Sequence, residues 1–387
     1  MSLHDVVGHE ELRRNLARAR LTRSLPASLL FHGLRGVGKQ RLALWTAQLQ
    51  LCESPTEEGP CGACRPCRMA RSIEHPDLHL YMPLPRPKGV SGHRLGDALE
   101  AARADALAEL RARPLKPSHT DEVRGLYLDT IQSLRRKAHI RPTMTSLQIF
   151  IVTDAELLVP QESSPEAANA LLKLLEEPPA DTQLILTSSE PGRLLPTIRS
   201  RTVPLHLAPL PPEQVTSFLR SAAGVADDEA HRVASLSQGS IGRALGFVPD
   251  GDGLGPLEGL RLQAFDLVEA ALRDRGSGRF ATALGFPPAG ARGMVDLFAF
   301  VEEALRDLAA VVTGAEEEVL GKDVLPRLRD MAEGAGLEAG VVSSTLPVLE
   351  EAREMARGNV NPQLIVSDLV GRLHRMLRPG SVLEGNT

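Results

Sequence analysis

A short apolar run, Ser28-Leu29-Leu30-Phe31-His32, passes directly into Gly33-Leu34-Arg35-Gly36-Val37-Gly38-Lys39-Gln40. Residues Arg41 to Leu51 follow with apolar side chains on one helical face. Strand, glycine loop and helix in that order are the context that a phosphate-binding loop requires, and they predict an α/β core around a parallel sheet. Gly33, Gly36 and Gly38 let backbone N–H groups face a phosphate, the helix N-terminus adds partial positive charge, and Lys39 can reach terminal phosphates. The pattern G-x-x-x-x-G-K is complete. The next position, where a Ser or Thr hydroxyl would ligate Mg²⁺, is Gln40. The alternative is a glycine-rich turn that binds nothing.

A second apolar strand, Ser146 to Thr153, ends at Asp154-Ala155-Glu156. An acid ending a central parallel strand is where such folds hold metal-bound water. The water-orienting carboxylate belongs immediately after it, and Ala155 stands there. On an extended backbone Glu156 would point to the other face. With the hydroxyl and the second acid both missing, Gly33, Gly36, Gly38, Lys39 and Asp154 read as a degenerate ATP/Mg²⁺ site no longer kept for hydrolysis.

All four cysteines fall in one window, Cys52, Cys61, Cys64 and Cys67, spaced C-x8-C-x2-C-x2-C. Interlocking C-x-x-C steps aim neighbouring thiolates at one point, and Cys52 returns from the preceding helix to complete a tetrahedron. Gly59, Pro60, Gly62 and Pro66 supply turns for such a knuckle. Buried free thiols or disulfides are the alternatives; clustering argues against the first and a reducing compartment against the second. Four thiolates leave no open coordination position, so the expectation is structural zinc. His75, in His75-Pro76-Asp77, is read as a loop or packing residue.

The chain of 387 residues has room for two to three domains. A net charge of -5 and 3% aromatics argue against a chain that holds nucleic acid alone by basic coating or base stacking. No apolar run reaches a membrane span, and the first residues do not read as a signal peptide, so a cytoplasmic location without membrane contact is expected.

Further along, Ser164 reads as an N-cap and Pro165 as the first residue of a helix that Pro178 and Pro179 stop. A third apolar strand, Gln183 to Thr187, precedes Leu194-Leu195-Pro196-Thr197-Ile198-Arg199-Ser200-Arg201. ANALLKLLEEPP followed by LLPTIRSR resembles the clamp-loader branch of the AAA+ ATPases, with Thr202 where the Ser-Arg-Cys motif has its cysteine. Val7-Gly8-His9-Glu10 and the cysteine knuckle are similar to the same branch. Within it, Gly358 to Val370 and Leu377 to Leu383 resemble the last helix and terminus of a non-motor subunit.

The resemblance implies a P-loop core at 1–208, with a zinc module at about 52–67 and an insertion at about 82–122. It also implies a small helical lid at 209–249 and, after a Gly251 to Gly255 linker, an all-helical collar at 256–387. The insertion carries a helix-like run, Leu95 to Leu110. The resemblance makes Ser200 and Arg201 an arginine-finger motif that touches ATP held by a neighbouring subunit, and Arg243, in Gly239-Ser240-Ile241-Gly242-Arg243, a second sensor of phosphate. The implied partners are gamma/tau motor and delta subunits in a hetero-pentamer, with the sliding clamp and primed DNA reached through the complex. An ATP-hydrolysing motor of the same loader is the alternative; Lys39 and Asp154 favour it, while Gln40 and Ala155 favour the non-motor subunit.

Overall fold

The computed structural model describes residues 5–90, 92, 94–115, 124–158, 165–249, 253–273, 291–357 and 360–378. Ser164, part of the Gly251–Gly255 linker, the end of the 82–122 insertion and the stretches at 358–359 and 379–383 lie outside them. The described residues fall into two compact units that meet in sequence at Leu245 and Gly246.

The first unit is built on five parallel strands in the order β2-β5-β6-β1-β7. These are β1 (Ser28–Gly33), β2 (Leu78–Tyr81), β5 (Gln148–Val152), β6 (Thr182–Ser188) and β7 (Val203–Leu207). β5 and β6 are buried along their whole length, as central strands covered on both faces must be. Side chains alternate between two cores. Leu29, Phe31, Ile149, Ile151 and Ile185 join one, with α1 (Glu10–Leu21) and α2 (Lys39–Leu51). Leu30, Phe150, Val152, Leu184 and Leu186 join the other, with α5 (Leu128–Ala138) and α6 (Glu166–Glu176). The doubly covered parallel sheet with its glycine loop after β1 is the α/β core expected from the sequence. Pro165 stands at the N-cap of α6, one place before the helix, without a side-chain cap.

Between β2 and α5 the chain makes a two-residue ladder, β3 (Leu84–Pro85) against β4 (Arg124–Gly125), and a 19-residue helix, α4 (Arg94–Ala112). A charged network ties α4 to the sheet. Glu100 accepts from Arg103 at 2.8 Å, Ser133 at 2.8 Å and Lys137 at 3.1 Å, and the Arg103 guanidinium lies over the Tyr81 ring. Burial alone would raise the Glu100 carboxyl, but the bonds from Arg103, Ser133 and Lys137 outweigh it and hold it at about 2. A depressed carboxyl pKa contributes stability above the unfolded value, lost as pH falls through the folded one. Glu100→Ala is therefore expected to cost about 1–2 kcal/mol at neutral pH, the group being a third exposed. The deficit should vanish toward pH 2. Urea unfolding of both proteins from pH 7 to pH 2 measures it, and equal stability throughout would show the network to be idle.

After β7, α8 (Pro212–Ala223), α9 (Asp227–Leu236) and α10 (Ile241–Phe247) form a short helical segment. The described residues of the second unit contain helices and no strand: α11 (Pro256–Leu272), α12 (Ala291–Val312), α13 (Leu325–Ala335), α14 (Ala339–Ser343), α15 (Leu346–Arg357) and α16 (Pro362–Leu377). Inside it Arg261, 4% exposed, bonds Glu258 at 2.9 Å and Asp323 at 2.7 Å, so its buried charge is paired. Among the described residues no helix is long and apolar enough to cross a membrane.

Candidate functional site

The glycine loop lies at the C-terminal end of the sheet, between β1 and α2. Lys39 is 5% exposed and turns back on the loop that carries it. Its Nζ donates to Gly33 O at 2.8 Å, Leu34 O at 2.8 Å and Ser189 Oγ at 2.9 Å. An ammonium has three hydrogens, so all three are engaged by this chain's own acceptors. Burial lowers the Lys39 pKa to about 8, against the opposing pull of Asp154 and Glu156. The next carbonyls are also held. Arg35 O accepts from Ser240 Oγ at 2.7 Å, Gly36 O from Gly242 N–H at 2.9 Å, and Val37 O from the His9 ring at 3.2 Å. At Gly36, φ is +78°, and an added Cβ would lie 2.6 Å from Ser240 Oγ and 2.8 Å from Gly242 Cα. Only glycine allows that approach, so the start of α10 sits directly on the loop. Gln40 is half-buried on the first turn of α2.

Asp154 and Glu156 come to the same place by a turn that strand periodicity does not anticipate. Asp154 has φ +48°, its N–H bonds Thr187 Oγ1 at 3.1 Å, and Ala155–Leu158 form one 3₁₀ turn. The extended backbone considered for Glu156 is thus corrected: the left-handed residue swings the chain round, and Glu156 is buried with Oε1 accepting from the Ser189 N–H at 3.0 Å. Its Oε2 is buried without a partner. Burial first, and the Asp154 charge second, push its carboxyl pKa up. Ala155 is fully buried and brings no polar group.

Arg201 lies elsewhere, after a four-residue helix, α7 (Pro196–Arg199). Its Nη2 pairs with Glu176 Oε1 at 2.9 Å, and its Nη1 donates to Thr197 O at 3.1 Å and Ser200 Oγ at 3.4 Å. Ser200 itself donates to Thr197 O. Arg243 is on α10, where its Nε donates to Leu236 O at 3.0 Å while its backbone N borders Gly36. The loop, Lys39 and Asp154 therefore form one constellation and Arg201 another. His9, Ser189, Ser240 and Glu176 are not singled out by sequence reasoning; each reaches its site through the tertiary fold, and no local spacing marks it.

The four cysteine sulfurs lie within 4.8 Å of one another. A tetrahedral zinc with Zn–S near 2.3 Å has S···S edges of about 3.8 Å, so the set fits after small side-chain movements. Backbone N–H groups point at the sulfurs: Cys61 N to Cys52 Sγ, Cys64 N to Cys61 Sγ and Cys67 N to Cys64 Sγ, at 3.3–3.4 Å. Such donors favour thiolate, and those of Cys64 and Ala63 bring Cys61 down to about 6. Cys64 caps α3 (Arg65–Arg71). Soft thiolates in this geometry suit zinc. His75 is buried apart from this set, its Nδ1 accepting from the Asp77 N–H at 3.1 Å.

The model for the family described as DNA polymerase III, delta subunit, matches residues 8–211, more than half the chain. The DNA polymerase III subunit delta' of Escherichia coli is 28% identical over 360 residues, covering 92% of this chain and 91% of its own. The delta' of Pseudomonas aeruginosa is 34% identical over 183 residues, covering 47% and 43%. The gamma/tau subunit of Mycobacterium tuberculosis is 27% identical over 372 residues, covering 92% of this chain and 54% of its own. By its family match and its full-length similarity to delta' subunits, the chain belongs to the DNA polymerase III delta-subunit family of clamp-loader proteins.

Proposed function

We propose that this chain is a non-motor, delta'-type subunit of the replicative clamp loader. It would assemble with gamma/tau motor and delta subunits in a hetero-pentamer, lend Arg201 to ATP held by a neighbour, and so help place a sliding clamp on primed DNA. The observation that carries the reading is Lys39, whose three hydrogens are all taken within its own chain. A nucleotide would have to break at least one of those bonds and would then find Gln40 where a magnesium-ligating hydroxyl is needed. The four cysteines would hold a structural zinc.

The second reading is an ATP-hydrolysing gamma/tau motor. Glu156, returned to the Lys39 site, favours it, as does the similarity to gamma/tau over 92% of this chain. Nucleotide titration of the isolated chain separates the two. The first reading expects no turnover above a buffer blank and an unmoved melting temperature at millimolar Mg-ATP. Binding at a hundredfold excess over Kd would add about 2.7 kcal/mol of stability. Turnover abolished by Lys39→Ala would establish the motor.

A further inference from the structure

We propose that Glu176 is the positioning residue for Arg201, an inference that rests on the trans role of Arg201 stated above and names what orients it. Of the five guanidinium hydrogens, Glu176, Thr197 and Ser200 engage three, which leaves two donors for a phosphate. The Arg201 side chain keeps 35% of its surface exposed. The arm is therefore held by one edge and open to a neighbour on the rest.

Its placement is unfavourable for the helix that carries it. Glu176 is the last residue of α6, and Glu177 follows. Carboxylates at a helix C-terminus face the negative end of the macrodipole, which disfavours them there. Nothing in the packing of α6 needs an acid there, since Glu176 is itself 47% exposed. An exposed ion pair gains little in water and orders two long side chains, so it is also a weak device for stability. What it does supply is orientation. A free arginine carries large rotamer entropy, much of which is lost when the guanidinium is fixed against a phosphate. Holding it beforehand by Glu176 and two oxygens of its own turn incurs most of that loss before the neighbour's ATP arrives. The carboxylate acts through Arg201 and touches no substrate.

The test is a double-mutant cycle in the reconstituted complex with ATP, clamp and primed DNA, using Glu176→Ala, Arg201→Ala and both together. Gel filtration and thermal unfolding establish equal assembly and folding. Glu176→Ala is expected to lower kcat at the neighbouring site about five- to tenfold with KM for ATP unchanged. Glu176→Gln, which keeps an acceptor oxygen without the charge, should fall between it and wild type. In the Arg201→Ala background, Glu176→Ala should have no further effect, because its partner is gone. If Arg201→Ala lowers turnover while Glu176→Ala does not, the positioning role is wrong and the trans role stands. An equal loss from Glu176→Ala in both backgrounds makes Glu176 structural and overturns the proposal. Arg201→Ala without effect overturns both.

Discussion

Stripping the metal from the four cysteines, or replacing Cys67 by Ser, is expected to release residues 52–71 from the core while the parallel sheet stays folded. The module is joined to α2 by the packing of α3, whose Ala70 is buried in the sheet core, and by two further contacts. Gln48 Nε2 donates to Cys67 O at 3.1 Å, and Gly59 lies against the ring of Trp45, where an added Cβ would come within 2.7 Å of Cζ2. Inside the module, a two-residue bridge of Thr56 with Gly59 adds to the N–H bonds that the sulfurs accept. Without metal, Cys52 and Cys67 become buried thiols, and the turns at Gly59 and Gly62, with φ of +135° and +70°, lose the ligands that hold them. Loss of a structural metal belongs to the short list of changes that cost roughly 3 kcal/mol or more. Trp45, the single tryptophan and 6% exposed, reports the event directly. Chelation should shift its emission to the red and lower the melting temperature by several degrees, and metal analysis should find one zinc per chain. Substoichiometric zinc after gentle purification, or unchanged emission on chelation, contradicts the assignment.

Much of the first unit was legible because its elements are written in local patterns. The runs at 28–33, 148–152 and 182–188 are apolar on both faces, which is what strands covered on both sides require. Cysteine spacing and the glycine loop are equally local. The extended reading of Glu156 fails because strand periodicity stops at Val152, and the chain then turns at a left-handed Asp154 that no composition rule requires. Lys39 was expected to face phosphate. Its return to Gly33 and Leu34 is completed by Ser189, 150 residues away, while Ser240, just before α10, holds the loop at Arg35 O. The pairing of Arg201 with Glu176 joins two familiar motifs, and each reads as complete without the other.

The division of labour proposed for these two constellations makes a mirrored pair of variants the most direct measurement. The complex is reconstituted three times, with wild-type, Lys39→Ala and Arg201→Ala forms of this chain, checked for equal assembly, and assayed for DNA- and clamp-stimulated ATPase and for clamp loading. A non-motor subunit that acts in trans predicts that Lys39→Ala matches wild type. Arg201→Ala should remove the neighbouring site's share of turnover, since an arginine finger is worth about 10³ or more in rate at the site it serves. Bulk ATPase then falls only by that share, and clamp loading falls further because opening needs the sites to act together. The opposite pattern, loss with Lys39→Ala and none with Arg201→Ala, would make this chain a motor with its own working site.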